Sequence, residues 1–323
     1  MSSIQSRRAF LEQSVSCAAH LALASLAMPF AARMAWAQST TGNVVAREPF
    51  GTLEKVADGV WALISTPLTG DRTTLSNGGI IAGRDGVLAI EGFNQVQGAE
   101  WMASRARELT GKWPTHVVLT HYHADHANGV AGYQGGGHPV TRATGRTCEL
   151  VVTKNLPADA ARNAVLNAVE LIPANGATTI DLGGRSVRVT PLGGHTDSDV
   201  TLELDDPGVV FCGDLVWNGM FPNYVDAQPS RLATAVRAIR RSSRDTIYVP
   251  GHGAVARVAE FDRYVSMLDE VEQAARRAHA SGASAADAGA SFALPASLGE
   301  WVLFSKAFYP RAFEAWYREL KGG

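Results

Sequence analysis

The 323-residue sequence contains few cysteines and no long run of basic residues. It has three cysteines, and apart from Cys17 in the N-terminal segment only Cys148 and Cys212 remain, which allows a single disulfide that their spacing neither supports nor excludes. Lysine and arginine number 29 against 31 aspartate and glutamate residues, so the formal net charge is -2. A nucleic-acid-binding protein usually carries a basic patch. We therefore expect no nucleic-acid partner and a small-molecule substrate.

The N-terminal segment lacks the long, uninterrupted apolar run of a membrane span. Its Ala-rich stretch is broken by Glu12, His20 and Arg33, which makes it too polar to cross a bilayer stably. The mature protein is therefore expected to have no membrane span.

The same segment has the features of an export signal. It begins with the pair Arg7-Arg8 and ends with the small-x-small pattern of residues 35–37. We interpret residues 1–37 as a twin-arginine signal peptide, residues 38–49 as a linker, and residues 50–323 as one domain with a C-terminal helical extension. The predicted location is the periplasm.

A serine-hydrolase elbow of the form Gly-x-Ser-x-Gly is also missing. Residues 120–126 instead have the sequence Thr-His-Tyr-His-Ala-Asp-His, which places three imidazoles and a carboxylate within six residues. These groups are ligands of borderline ions such as Zn(II), so His121 and His123 are candidates to share one ion. The alternative is a loop rich in exposed histidine, which would leave four strong ligands solvated for no gain.

Strands and helices alternate twice along the chain, so we predict an α/β fold of two similar halves with the sheets inside and the helices outside. The predicted strands lie in hairpins at residues 56–64 and 78–90 and at residues 116–119, 186–190, 200–204, 209–212 and 246–250. The predicted helices cover residues 96–109, 147–154, 158–171, 231–241, 258–280 and 298–320, with a break at residues 281–290.

Three further strand ends carry a candidate metal ligand beside a glycine, which lets the backbone approach closely. These residues are His195, Asp214 and His252. Each of them alone is typical of a capped loop residue. Together with the histidine cluster they indicate one metal centre.

This series of motifs, His-x-His-x-Asp-His followed by Gly-His-Thr, Gly-Asp and Gly-His, resembles that of the metallo-β-lactamase-fold hydrolases over about residues 50–275. The resemblance implies an αββα sandwich with two mixed sheets inside and helices outside. It implies a first metal site at His121, His123 and His195, a second at Asp125, His126 and His252, and Asp214 as the bridging carboxylate. The sequence departs from the family pattern at Asn128, where many members have Gly, and at Glu91, where Asp is usual.

The resemblance also implies a reaction. Two Zn(II) ions, with iron or manganese as alternatives, would hold a bridging hydroxide that attacks an ester, thioester, lactone or β-lactam. Asp125 would orient the water or carry a proton. Residues 213–217 and 221–224 are most similar to exported zinc hydrolases associated with sulfur oxidation and quinoprotein systems. Two alternatives stay open, namely an iron-dependent sulfur or persulfide redox enzyme and a non-catalytic metal-binding accessory protein.

Aromatic residues follow the ligand motifs and are candidates to line a substrate pocket. They are Tyr122, Trp217, Phe221 and Tyr224, with Phe304, Phe308 and Tyr309 near the C-terminus. The last three fall at helical spacing and are equally typical of packing residues. No cluster of Arg or Lys accompanies the motifs, and this favours an acyl substrate over a phosphoester.

Overall fold

The alternation of side chains along one strand explains how the layers of the protein are arranged. In β3 (Val60–Ser65), Val60, Ala62 and Ile64 pack against a second sheet, whereas Trp61 and Leu63 pack under helices. Successive side chains of a strand point to opposite faces, so a strand that is apolar on both faces requires a cover on each side. The computed structural model, which describes residues 43–322, provides both covers.

The strands of the described residues form two mixed sheets. The first sheet contains, in spatial order, β1 (Asn43–Glu48), β2 (Gly51–Ala57), β3, β4 (Gly78–Ala82), β5 (Val87–Ile90), β6 (His116–Val118), β7 (Val140–Thr144) and β8 (Glu170–Ile172). The second contains β13 (Ile247–Gly253), β12 (Val209–Asn218), β11 (Val200–Leu204), β10 (Ser186–Pro191) and β9 (Thr178–Asp181). In the first sheet β1 to β5 pair antiparallel and β5 to β8 parallel; in the second only β12 and β13 pair parallel.

Helices cover the outer faces of both sheets. They are α1 (Val96–Thr110), α3 (Gly145–Lys154), α4 (Ala160–Asn167), α5 (Pro229–Ile239), α6 (Val258–Ala280), α7 (Ala285–Ser291) and α8 (Phe308–Gly322), whereas α2 (Ala124–Ala127) is a single turn that follows β6. Met102 of α1, Val151 of α3 and Val165 of α4 share a core with the first sheet, while Tyr264 of α6 and Trp316 of α8 share one with the second. The predicted αββα arrangement is confirmed. Within residues 43–322 no helix has an apolar stretch of the length that a bilayer crossing requires.

The N-terminal boundary differs from the prediction. Residues 1–37, interpreted as a signal peptide, lie outside the described residues. Part of the predicted linker at residues 38–49 is not a linker, because Asn43–Glu48 is an edge strand that pairs antiparallel with β2. The side chains of this strand are half-buried or exposed, so its sequence has no apolar pattern that would have predicted it. Backbone pairing with β2 stabilises the strand instead.

Several helix boundaries were also predicted incorrectly. The helix predicted at residues 158–171 ends at Asn167 and gives way to β8. The predicted break at residues 281–290 contains α7, because the Ser284 hydroxyl accepts a hydrogen bond from the Asp287 amide and caps a new helix. The last helix starts at Phe308, ten residues later than predicted.

Candidate metal centre

The seven predicted ligands lie together where strands of both sheets end. β6 leads into His121 and His123, and the single turn of α2 carries Asp125 and His126. In the second sheet β10, β12 and β13 run in the same direction, so His195 after β10 meets Asp214 and His252. All seven side chains are buried.

Four residues form the first group of donor atoms. The Nδ1 atom of His123 lies 3.0 Å from His121 Nε2 and 3.0 Å from His195 Nε2. The Oδ2 atom of Asp214 lies 3.2 Å from His195 Nε2 and 3.8 Å from His121 Nε2. Nitrogens bound tetrahedrally at about 2.0–2.1 Å would lie roughly 3.3 Å apart, so the spacing fits one shared ion.

The second group uses the other oxygen of the same carboxylate. The Oδ1 atom of Asp214 lies 3.1 Å from His126 Nε2 and 3.3 Å from His252 Nε2. The Oδ2 atom of Asp125 completes the group, at 3.7 Å from His126 Nε2 and 3.4 Å from His252 Nε2. Asp214 therefore directs one oxygen to each group, which is the geometry of a bridging ligand.

Hydrogen bonding within the two groups does not explain their geometry. The His123 Nδ1 atom faces two imidazole nitrogens, although an imidazole nitrogen takes part in only one hydrogen bond at a time. The buried His126 Nε2 and Asp214 Oδ1 atoms have no hydrogen-bond partner despite their close approach. Buried polar atoms are normally paired, so these orphaned atoms fit cations placed between them.

The charges within the site support this interpretation. Burial by itself raises the pKa of Asp214, but the neighbouring His252, His126 and His195 outweigh it and hold that pKa well below its usual value. The pKa of Asp125 is lowered to about 2, because His126 and His252 outweigh its burial. Both carboxylates are therefore anionic at neutral pH and favour a divalent cation.

Comparison with known proteins agrees with this site. A family model described as the metallo-beta-lactamase superfamily matches residues 92–252. A hydroxyacylglutathione hydrolase from Acidiphilium cryptum is 31% identical over 186 residues, which are 58% of this chain and 69% of that protein. The chain belongs to the metallo-β-lactamase superfamily.

Two more hydroxyacylglutathione hydrolases match shorter parts of this superfamily member. The relative from Erythrobacter litoralis is 23% identical over 49% of this chain and 59% of its own length. The relative from Rhodospirillum rubrum is 25% identical over 46% of this chain and 51% of its own length. With the divalent-metal site, these relationships identify the chain as a metal-dependent hydrolase.

Solved structures of the superfamily share the fold. A metallo-beta-lactamase from Erythrobacter litoralis, with beta-mercaptoethanol in its active site, has a TM-score of 0.57 at 23% identity and covers 70% of this chain and 99% of that one. A metallo-beta-lactamase from Pontibacter korlensis has a TM-score of 0.56 at 21% identity and covers 67% of this chain and 98% of that one.

Glu91 supports the second donor group of the hydrolase. Its Oε1 atom accepts hydrogen bonds from His126 Nδ1 at 2.9 Å and from Thr120 Oγ1 at 2.5 Å, and its Oε2 atom accepts from the Thr120 amide at 3.2 Å. Because His126 Nδ1 donates to Glu91, its Nε2 atom presents a lone pair to a metal. Glu91, where Asp is usual in the family, therefore still places a carboxylate in contact with a metal ligand.

Asn128, where many members of the family have Gly, accepts a hydrogen bond from Arg162.

Asp226 supports the first donor group and was missed by the sequence analysis. The Nε2 atom of His123 lies 3.2 Å from Asp226 Oδ2, which leaves Nδ1 as the donor to a metal. Asp226 also accepts a hydrogen bond from the Tyr122 hydroxyl, and Lys154 Nζ lies 3.3 Å from Asp226 Oδ1. The residue lies in the loop between β12 and α5, where no motif marks it. Lys154 therefore places one cation beside the metal ligands, and the negative charge of Asp226 balances it.

A small cavity of about 10 Å³ opens onto the donor atoms, which is room for roughly one water molecule. Besides five of the ligands it is lined by Trp217, Asn223 and Phe308. The Trp217 ring also packs against the His252 ring at 4.1 Å. Trp217 thus lies where a pocket residue was expected, and sequence reasoning missed Asn223.

The other predicted pocket residues lie elsewhere. Tyr122 is beside the cavity, with its ring 4.6 Å from that of His123. Phe221 and Tyr224 do not line the cavity but pack in the core under the C-terminal helices, where Phe221 contacts Tyr309 at 4.7 Å. The chain leaves β12 after Asn218, and the hydrogen bond from the Phe221 amide to the Val302 carbonyl holds Phe221 against the C-terminal segment. Proximity in sequence to Trp217 therefore did not place these two rings in the pocket.

Proposed function

We propose that this protein is an exported, binuclear zinc hydrolase that cleaves an acyl bond in an ester, thioester, lactone or β-lactam. The observation that carries the proposal is the division of Asp214 between two groups of buried donors, at 3.2 Å from His195 and 3.1 Å from His126. Imidazole and carboxylate donors suit zinc. When bound, a pair of such ions would activate water and polarise an acyl carbonyl group.

The protein groups around the ions have separate tasks. Glu91 and Asp226 hold His126 and His123 in the tautomers that direct a lone pair inward. Asp125 directs Oδ2 to the second donor group. We assign to its other oxygen, Oδ1, the role of carrying a proton to the leaving group. No protein nucleophile is needed in this scheme.

The surroundings of the site favour an acyl group over a phosphoester. The rings of Trp217 and Phe308 form the apolar part of the cavity lining. The nearby cation, Lys154, is paired with Asp226, whereas phosphate binding usually requires several cationic groups. The relatives named hydroxyacylglutathione hydrolases support the same substrate class.

A substrate panel tests the reaction class. Purified, zinc-loaded protein should be assayed with hydroxyacylglutathione, a lactone, a β-lactam and a phosphodiester at matched concentrations, with the Asp214→Asn variant as the control for contaminating activity. We expect turnover of at least one acyl substrate by the wild-type protein and none above background by the variant. Turnover of the phosphodiester alone would contradict the proposal.

Export to the periplasm is part of the proposal, and it is supported by Arg7 and Arg8 in a segment that ends in a small-x-small pattern. Changing both arginines to lysine keeps the charge and should leave uncleaved precursor in the cytoplasm. Cell fractionation with a blot against the C-terminus measures this. Mature protein in the periplasm at the wild-type level would refute the twin-arginine route.

A further inference from the structure

The C-terminal helices reach the metal centre although they lie beyond the matched family region. The family match ends at residue 252, and α6, α7 and α8 follow it. The segment that precedes α8 returns to the end of β12, where the Phe221 amide donates to the Val302 carbonyl and the Val302 amide donates to the Gly219 carbonyl, both at 2.9 Å. This attachment fixes α8 next to the strand that carries Asp214.

Phe308, the first residue of α8, forms part of the cavity lining. Its side chain is only 1% exposed, and its ring lies 6.4 Å from that of Trp217. Trp217 in turn packs against His252. The aromatic wall of the cavity, defined as Trp217 and Phe308, is therefore built partly from the C-terminal extension.

The more exposed residues of the centre lie around His123. The side chains of His123, Asp226 and Lys154 are 11%, 31% and 34% exposed, so solvent reaches the site past these residues. A substrate can approach past these three residues and place its carbonyl carbon at the donor atoms. The free energy of binding is then most favourable when its acyl chain lies against an apolar surface. That surface is the aromatic wall, and the cavity in front of it is small.

We propose that Phe308 determines substrate specificity by limiting the length of the acyl group, so that the enzyme favours compact acyl chains. The inference rests on the proposed acyl-bond hydrolysis and adds to it the size of the substrate. One additional methylene in a hydrophobic pocket typically changes specificity by about 10–200-fold. The effect of enlarging the cavity at Phe308 should therefore be large enough to measure.

The test compares Phe308→Ala with Phe304→Ala. Phe304 is the matched control because it belongs to the same segment and is also buried, at 2% exposed. Its ring centroid lies 6.1 Å from that of Trp217, but Phe304 does not line the cavity. With p-nitrophenyl acetate, butyrate and hexanoate as substrates, the wild-type kcat/KM should fall with chain length. In Phe308→Ala the hexanoate-to-acetate ratio should rise at least about tenfold, and in Phe304→Ala it should stay within about twofold of the wild-type ratio.

Phe308→Leu should shift the ratio in the same direction by a smaller factor, which keeps the test available if the Ala variant does not fold. An equal shift in Phe304→Ala, or a wild-type preference for hexanoate, would overturn the inference. Calorimetric binding of acetate, butyrate and hexanoate to the zinc-loaded proteins gives a second measurement that needs no turnover. If the wild-type protein hydrolyses neither these esters nor any other acyl substrate, the proposed reaction fails. Tighter hexanoate binding in Phe308→Ala but not in Phe304→Ala would still support the role of Phe308, and its absence would refute it.

Discussion

Replacing Glu91 by Gln should weaken one metal site without changing any metal ligand. The buried carboxylate contacts His126 Nδ1 at 2.9 Å and the Thr120 amide at 3.2 Å. Gln keeps the shape but removes the negative charge, and one of its two terminal atoms then cannot accept a hydrogen bond. Loss of such a supporting contact typically costs 10–100-fold in metal affinity. Because Glu91 is fully buried and water cannot replace it, we expect a loss of about 30-fold, which is ~2 kcal/mol.

Asp226→Asn is the matched variant at the other site. It removes the carboxylate that contacts His123 Nε2 at 3.2 Å, in the first donor group. The Asp226 side chain is 31% exposed, so water can partly replace the lost contact. We therefore expect a smaller loss, about tenfold, near the lower end of the typical range.

A competitive zinc titration of the metal-free proteins against a chromophoric chelator measures both effects. Two binding steps should be resolved in the wild-type protein, and each variant should weaken a different step. Circular dichroism of each variant controls for loss of the fold. The assignment of Glu91 and Asp226 to separate ions is wrong if both variants weaken the same step, or if neither shifts a step by more than about threefold.

Two other predictions concern the carboxylates of the site and its support. Asp214→Asn should lower kcat/KM at saturating zinc by at least ~1000-fold, because Asp214 contacts both donor groups. Wild-type kinetics in this variant would contradict the bridging position of Asp214. Burial raises the pKa of Asp199 to about 7, although hydrogen bonds from Thr196 oppose this. The unfolded carboxyl ionises near pH 3.8, so the stability that the protonated form contributes is complete below that pH and is lost as the pH rises toward 7. Urea denaturation gives the free energy of unfolding of the wild-type protein and of Asp199→Asn at each pH. The wild-type value minus the variant value should fall by up to ~4 kcal/mol between pH 3.8 and pH 7. A difference that stays constant with pH would refute the raised pKa of Asp199.

The ligand residues could be predicted from the sequence because each lies in a short local pattern at a strand end. His121 and His123 follow an apolar strand, and glycine accompanies His195, Asp214 and His252. The need for glycine is clearest at Gly251, where a Cβ atom would lie 1.9 Å from Asp214 Oδ1. The layers were predictable for a similar reason, since period-two and helical apolar patterns determine which face of an element is buried.

The residues that the sequence did not reveal depend on packing between distant segments. Asp226 contacts His123 across 103 positions of the chain, and no spacing rule connects the two. Phe308 and Asp125 line one cavity although more than half of the chain separates them in sequence. Such contacts exist only once the sheets and helices have packed, so a local pattern cannot show them.

Two zinc ions per chain are expected from the two groups of donors around Asp214. Elemental analysis of the purified protein, loaded with excess zinc and desalted without chelator, measures this number directly. The result we predict is two equivalents per chain in the wild-type protein. A stoichiometry that stays at one under zinc excess would contradict the binuclear centre.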